Sequence, residues 1–203
     1  MVRASCAMGG SLTGASSAMA QGMTKIAVTG GSGKAGRVVV RHLFERGHQV
    51  LNIDQVGSPE SNHPEDPIPF LRADLTDFGQ ALEALSGGDT LPGIEAVVHL
   101  AAIPSPAHAP ASEVWRVNAT STHSVFAAAQ RLGLARVVWA SSETTLGLPF
   151  DTPPDYAPVD EKHMRPETSY ALSKVVGEET SSSEVATIVQ GCCGPLGLVT
   201  QAL

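Results

Sequence analysis

The sequence predicts an α/β fold, a doubly wound parallel sheet, and three observations carry the prediction. Short β-branched apolar runs alternate with stretches whose apolar residues recur at helical spacing. The runs are apolar throughout instead of alternating with polar residues, which marks strands covered on both faces. The first run passes through a glycine-rich turn straight into the first helix, so a helix N-terminus stands at the end of the first strand.

The elements follow in order. "KIAVTG" (25–30) reads as a buried strand ending in glycine. Residues 34–47 place Val39, Val40, Leu43 and Phe44 at helical spacing and stop at Gly47, a natural C-terminal cap. "HQVLNID" (48–54) is the second strand, and "SPESNHPEDPIP" (58–69), with four prolines, is loop. "FLRADL" (70–75) is the third strand, and 77–86 a helix opened near Asp77. "IEAVVHLAA" (94–102) is the fourth strand, 111–132 a long helix closed by Gly133, and "ARVVWASS" (135–142) the fifth strand. A proline-rich loop runs to 166, and "TSYALSKVVGEE" (168–179) forms the last helix.

At 203 residues the chain is most simply one domain with a substantial core. Residues 23–180 hold that domain, between a leader (1–22) and a divergent tail (181–203). A net charge of −7 and only 4% aromatic residues offer nucleic acid neither a basic footprint nor a stacking surface, and point away from anionic membranes. No apolar run approaches the ~20 residues that span a bilayer. Three cysteines, Cys6, Cys192 and Cys193, form no disulfide framework and no zinc spacing, which fits a reducing compartment and a cytoplasmic location. Cys192 and Cys193 read as packing residues. The Ser/Ala/Gly-rich leader has a single arginine and no central apolar core. It reads as a disordered segment, or as sequence preceding a true start at Met23; an organellar address is the alternative.

"TGGSGKAG" supplies the first functional signal. Glycines 30, 33 and 36, with Gly31 beside them, punctuate a loop that also contains Ser32, Lys34 and Ala35. Gly30 permits a tight turn, Gly33 lets backbone approach a pyrophosphate, and Gly36 lets helix pack on strand. The helix N-terminus offers N–H donors and a positive dipole end to phosphate. A glycine trio is weak by itself; here it has the required strand before and helix after. Asp54 ends the second strand, 24 residues beyond Gly30, where a carboxylate can accept from an adenosine ribose. No Arg or Lys stands just after it to receive a 2′-phosphate. Dinucleotide binding follows, with NAD favoured over NADP.

Tyr170 and Lys174 supply the second. Four residues apart on a helix, they share a face. A cation close to a phenol favours phenolate, so this tyrosine could serve as an acid or base near neutral pH. A lone Tyr-x-x-x-Lys is more often an ordinary surface pair.

Taken together, residues Lys25 to about Glu179 resemble the extended branch of the short-chain dehydrogenase/reductase superfamily, the NAD-dependent epimerase/dehydratase group. The motifs stand in register: "TGGSGKAG", Asp54, "ADL", "HLAA", "VNATST", "ASSETTLG" and "YALSK". The resemblance implies a Rossmann-type domain in which Asp74 and Leu75 approach the adenine and Ala101 and Ala102 line the cofactor cleft. Asn118 would support the site from the long helix, and Ser142 would hydrogen-bond the substrate oxygen. Tyr170 would be the acid/base, and Lys174 would hold the nicotinamide ribose and lower the phenol's pKa. His99 is expected to be a satisfied core histidine, and His108 and His123 have no second ligand at metal spacing, so no metal is expected.

Two departures bear on function. Dehydratases of the group place Asp then Glu after the hydroxyl residue; here Glu143 and Thr144 stand there, and the proton-abstracting Glu has no counterpart. The group usually also has a tyrosine where Leu146 stands. After Glu179 the sequence "TSSSEVATIVQGCCGPLGLVTQAL" departs from the family, apart from a sixth-strand candidate in "EVATIV", so most of the C-terminal substrate domain is expected to be missing. The expected activity is hydride transfer at a carbinol of a sugar, sugar acid or polyol, and the serine loop resembles uronate dehydrogenases somewhat more than epimerases. The alternatives are nucleotide-sugar 4-epimerisation and a non-catalytic NAD-binding module or sensor. The expected partner is a small carbohydrate-like substrate, and the resemblance implies a homodimer paired through the helices after strands four and five.

Overall fold

The computed structural model describes residues 22–57, 67–134, 136–149, 151–157, 159 and 163–184. Residues 1–21 of the leader, residues 185–189 of the proposed sixth strand and all three cysteines lie outside these residues. Five strands, β1 (Lys25–Thr29), β2 (Gln49–Asp54), β3 (Phe70–Arg72), β4 (Ala96–His99) and β5 (Arg136–Trp139), form one sheet in the order β3-β2-β1-β4-β5. Every pairing is parallel, with Ile26 beside both Val50 and Ala96, and His99 beside Trp139. Four helices connect or follow them: α1 (Lys34–Glu45), α2 (Phe78–Ser86), α3 (Ala111–Leu132) and α4 (Ser169–Glu184).

Strand alternation builds the two layers. Ile26, Val28, Val50, Ala96 and Val98 pack with Val40 and Leu43 of α1 on one face. Ala27, Leu51, Ile53, Val97, Val137 and Trp139 meet α2 and α3 on the other, through Ala81, Leu85, Val125 and Phe126. Burying each large side chain contributes roughly 1.5–3 kcal/mol. This is the doubly wound sheet that the sequence predicts.

The element ends follow local chemistry. Asp77 caps α2 by accepting from Gln80 N–H at 2.9 Å, and Gly133 closes α3 in the left-handed region at φ 65°. The third strand is shorter than expected. Asp74 Oδ1 accepts from both the N–H and the hydroxyl of Thr76, at 2.9 and 2.8 Å, and this Asx-type turn ends the ladder at Arg72. β4 and β5 are trimmed similarly at their ends, and the loop after β5 holds an unforeseen 3₁₀ turn at Glu143–Leu146. Because all strands run one way, the glycine loop, Asp54, Asp74, Ala101, Ala102 and Ser142 gather at one edge of the sheet. In this fold that edge, at the switch between β1 and β4, is where ligands bind.

Candidate functional site

The glycine loop is a preformed turn. Gly30 has φ +69°, and a Cβ there would lie 2.6 Å from Ala101 N, so only glycine lets β1 exit against the loop after β4. A Cβ on Gly36 would collide with the Gly30 carbonyl, which pins the first turn of α1 onto the strand end. Gly33 is the N-cap of α1, with no side-chain cap and no acidic residue in the first turn. Gly33, Lys34 and Ala35 are exposed. An uncapped N-terminus with a basic residue at its mouth fits a pyrophosphate.

The loop is tied to β2 by side chains. Asp54 Oδ2 accepts from Ser32 N–H at 3.1 Å, and Asn52 Nδ2 donates to Ser32 Oγ at 3.2 Å. Asn52 Oδ1 is buried and has no hydrogen-bond partner, and a Cβ on Gly31 would collide with it. Asn52 was not singled out in the sequence, since a polar residue inside a buried strand becomes informative only once Ser32 is seen across from it. Asp54 Oδ1 accepts from Gln55 N–H at 2.7 Å, and the Gln55 amide donates to Asp74 at 3.1 Å. The hydrogen bonds from Thr76 hold the Asp74 carboxyl below its ordinary range. Leu75 is packed in the core beside Ala81 and Leu85, so its side chain is turned from the edge.

A base does stand near Asp54, though not in sequence. Arg72, the last residue of β3, is the register partner of Asp54 and is exposed. Register partners in a parallel pair project to the same face. Chain neighbours alone could not reveal it.

Asn118 lies in α3, 2% exposed, and makes a two-point contact with one residue of the loop after β4. Its Oδ1 accepts from Ile103 N–H at 2.8 Å and its Nδ2 donates to Ile103 C=O at 3.1 Å. Its amide holds the loop that carries the half-buried Ala101 and Ala102. His99 is fully engaged in the core. Its Nδ1 lies 2.6 Å from Thr29 Oγ1 and its Nε2 3.4 Å from Thr122 Oγ1. Burial, helped by the Lys174 charge, pushes its pKa down to about 3, so it is neutral.

The remaining residues converge from β5 and α4. Ser142 is buried at the exit of β5, where its Oγ accepts from Thr144 N–H at 3.3 Å and Thr144 Oγ1 at 3.0 Å. Lys174 is 5% exposed; its ammonium donates to Ala140 C=O at 2.7 Å and lies 5.0 Å from the centre of the Trp139 ring and 5.7 Å from that of Tyr170. Burial lowers its pKa to about 8, against the pull of Glu178. The structure thus brings Ser142, Tyr170 and Lys174 together at the same sheet edge as the glycine loop.

One expectation is corrected. The Tyr170 phenol is raised, not lowered: burial dominates, Glu143 adds to it, and a hydrogen bond with Ser142 opposes it. The Lys174 ammonium donates to the Ala140 carbonyl. In this arrangement phenol and ammonium both hold protons near neutrality, a proton-donating state.

Comparison with known proteins agrees with this geometry. The model of the NAD dependent epimerase/dehydratase family matches residues 26–192. A putative UDP-glucose 4-epimerase of Methanocaldococcus jannaschii is 30% identical over 157 residues, 76% of this chain and 48% of the relative. An L-arabinose 1-dehydrogenase (NAD(P)(+)) of Haloferax volcanii is 31% identical over 165 residues, 77% of this chain and 59% of the relative. Among solved structures, the Bordetella bronchiseptica enzyme WbmG in complex with NAD superposes with a TM-score of 0.69 at 25% identity, covering 85% of this chain and 53% of that one. The chain spans about half the length of these proteins.

Proposed function

The chain belongs to the NAD-dependent epimerase/dehydratase family, and from that premise we propose that it is the NAD-binding, hydride-transferring part of an oxidoreductase acting on a carbinol of a sugar, sugar acid or polyol. The observation that carries the reading is the convergence of buried Ser142 and Lys174 with half-buried Tyr170 beside an uncapped, glycine-lined helix N-terminus. The relative acting on L-arabinose supports a sugar substrate.

NAD would be held by Gly30, Gly31, Ser32, Gly33, Lys34, Ala35 and Gly36 at its pyrophosphate, by Asp54 at the adenosine ribose, and by Asp74 and the backbone at Leu75 toward the adenine. Ala101 and Ala102 would line the cleft, with Lys174 at the second ribose. When bound it supplies the hydride acceptor and, in its oxidised form, a positive charge. Ser142 and Tyr170 would hydrogen-bond the substrate oxygen. Oxidation of the carbinol moves the oxygen's proton to Tyr170 as phenolate while the carbon loses hydride; reduction reverses both. Asn118 and Ile103 would keep the cleft wall in place. Dehydration has no support here, because Glu143 is exposed and the Thr144 hydroxyl is used on Ser142.

A 4-epimerase reading is supported by the M. jannaschii relative, among others of that name; it uses the same three residues and returns the hydride to the other face. Leu172 and Val176, exposed one turn apart on α4, support pairing of two copies through this helix. A cytoplasmic location completes the reading, supported by cysteine usage without a disulfide framework.

Calorimetry with NAD and NADP, followed by NADH absorbance with a panel of free sugars, uronates and polyols and an epimerisation assay on UDP-glucose, tests the reading. NAD is expected to bind, and more tightly than NADP. Absence of NAD binding overturns the proposal, and NAD binding with no turnover on any class leaves a pure binding module.

A further inference from the structure

Three consecutive residues at the exit of β5 face successive turns of α4, and two of them are held there by hydrogen bonds. Ser142 stands beside Tyr170 and opposes the rise of its pKa, the Ala140 carbonyl accepts from Lys174 at 2.7 Å, and the Ser141 hydroxyl donates to Glu178 Oε1. Positions 170, 174 and 178 recur every four residues, so they form one stripe along the helix. The first two are accounted for by the proposed chemistry; Glu178 is not. It sits one turn below Lys174, half-buried, and spends a carboxylate oxygen on a serine hydroxyl that does nothing else in that chemistry.

The charges facing Lys174 make this carboxylate significant. From α4 come Glu178 and Tyr170. β5 presents the Trp139 ring and the Ala140 carbonyl, and β4 presents His99, which is neutral. Glu143 of the 3₁₀ turn acts on Tyr170. The titratable and charged residues of α3, Glu113, Arg116, His123 and Arg131, are exposed. Glu178 is the carboxylate that supports the buried ammonium.

We propose that Glu178 is a positioning residue for the Ser142–Tyr170–Lys174 group, locking the β5 exit onto α4 through Ser141 and partnering the Lys174 ammonium. The inference rests on the proposed function for its meaning but not for its test. Two duties predict two separable defects. Glu178→Gln removes the charge and keeps an acceptor for Ser141; Glu178→Ala removes both.

The experiment uses the full chain and two titrations that need no substrate. Lys174 is followed by NMR of carbon-13-labelled lysine side chains. Tyr170 is followed by phenolate absorbance in a Tyr156→Phe background, since the chain has two tyrosines. Both Glu178 variants are expected to lower the Lys174 midpoint by about one pH unit, the size of a close opposite charge. Only Glu178→Ala is expected to raise the Tyr170 midpoint, because the Ser142 hydroxyl that lowers it moves away once the Ser141 lock is lost; Ser142→Ala should reproduce that rise. An unchanged Lys174 midpoint in Glu178→Gln, or an unchanged Tyr170 midpoint in Glu178→Ala, overturns the proposal. The isosteric Gln variant keeps the charge test open should Ala unfold the helix. Failure of turnover or of NAD binding would strike the proposed function and leave these titrations standing.

Discussion

Tyr170 and Lys174 were legible as a pair from their spacing; their environment was not. A sequence shows that two side chains share a helix face but not that the ammonium is aimed at a main-chain carbonyl one strand away. Burial of the phenol, which the sequence also does not show, reverses its expected shift. Protonated lysine is the state that can hold a ribose and support a phenolate, so turnover through the free protein should fall as the pH rises through about 8, where Lys174 loses its proton. The same shift has a stability sign. Between about 8 and the ordinary 10.5 the unfolded chain binds more protons than the folded one, so this residue's contribution to stability rises with pH across that window. Its burial costs on the order of 3 kcal/mol below it, at 1.36 kcal/mol per unit. Denaturant midpoints at pH 7.5 and 10 should therefore differ less in Lys174→Met than in the parent. Tyr170→Phe should cut hydride transfer about 10²- to 10⁴-fold while sparing NAD affinity, whereas Lys174→Ala should damage both. Ser142→Ala should reduce turnover with little effect on NAD. A Tyr170→Phe protein as fast as the parent in NADH absorbance would remove the phenol from the mechanism.

Elements were read best where a period and a cap coincide. α3 was expected at 111–132 and lies there, because a long apolar stripe meets a glycine that can turn left-handed. Strand ends were read less well: "ADL" looks extended, but Asp74 finds Thr76 and turns the chain. The 3₁₀ turn was missed because Ser142 caps it through Thr144, a local bond that no hydrophobic pattern reports. Packing distances between elements were also hidden. A Cβ on Gly177 would lie 2.5 Å from Trp139 Cη2, so α4 is seated directly on β5. Gly177→Val is expected to lift α4, costing roughly 1–3 kcal/mol and separating Tyr170 from Ser142. A lowered Tm together with a raised Tyr170 midpoint would show both; a lowered Tm alone would mean that the helix shifts without disturbing the site.

At the scale of the whole molecule, the cofactor edge is where strands from both halves of the sheet meet. The glycine loop leaves β1, Asp54 ends β2, and Ala101 follows β4, with the Ser32–Asp54 hydrogen bond and the close packing of Gly30 against Ala101 already made. A ligand spanning them binds the folded chain and not the unfolded one. At 100 times Kd this linkage adds about 2.7 kcal/mol. For a chain of this size that corresponds to a rise in Tm of about 5–10 °C. NADP should give a smaller rise, because Asp54 repels the 2′-phosphate while Arg72, its register partner, offsets part of the repulsion. Asp54→Ala should then bring the two shifts together, and Asp54→Ala with Arg72→Ala should lose the NADP shift again. Differential scanning fluorimetry with both nucleotides checks the series. If Arg72→Ala leaves the NADP shift of Asp54→Ala untouched, the guanidinium across the sheet does not read the 2′ position, and cofactor choice rests on the carboxylate alone.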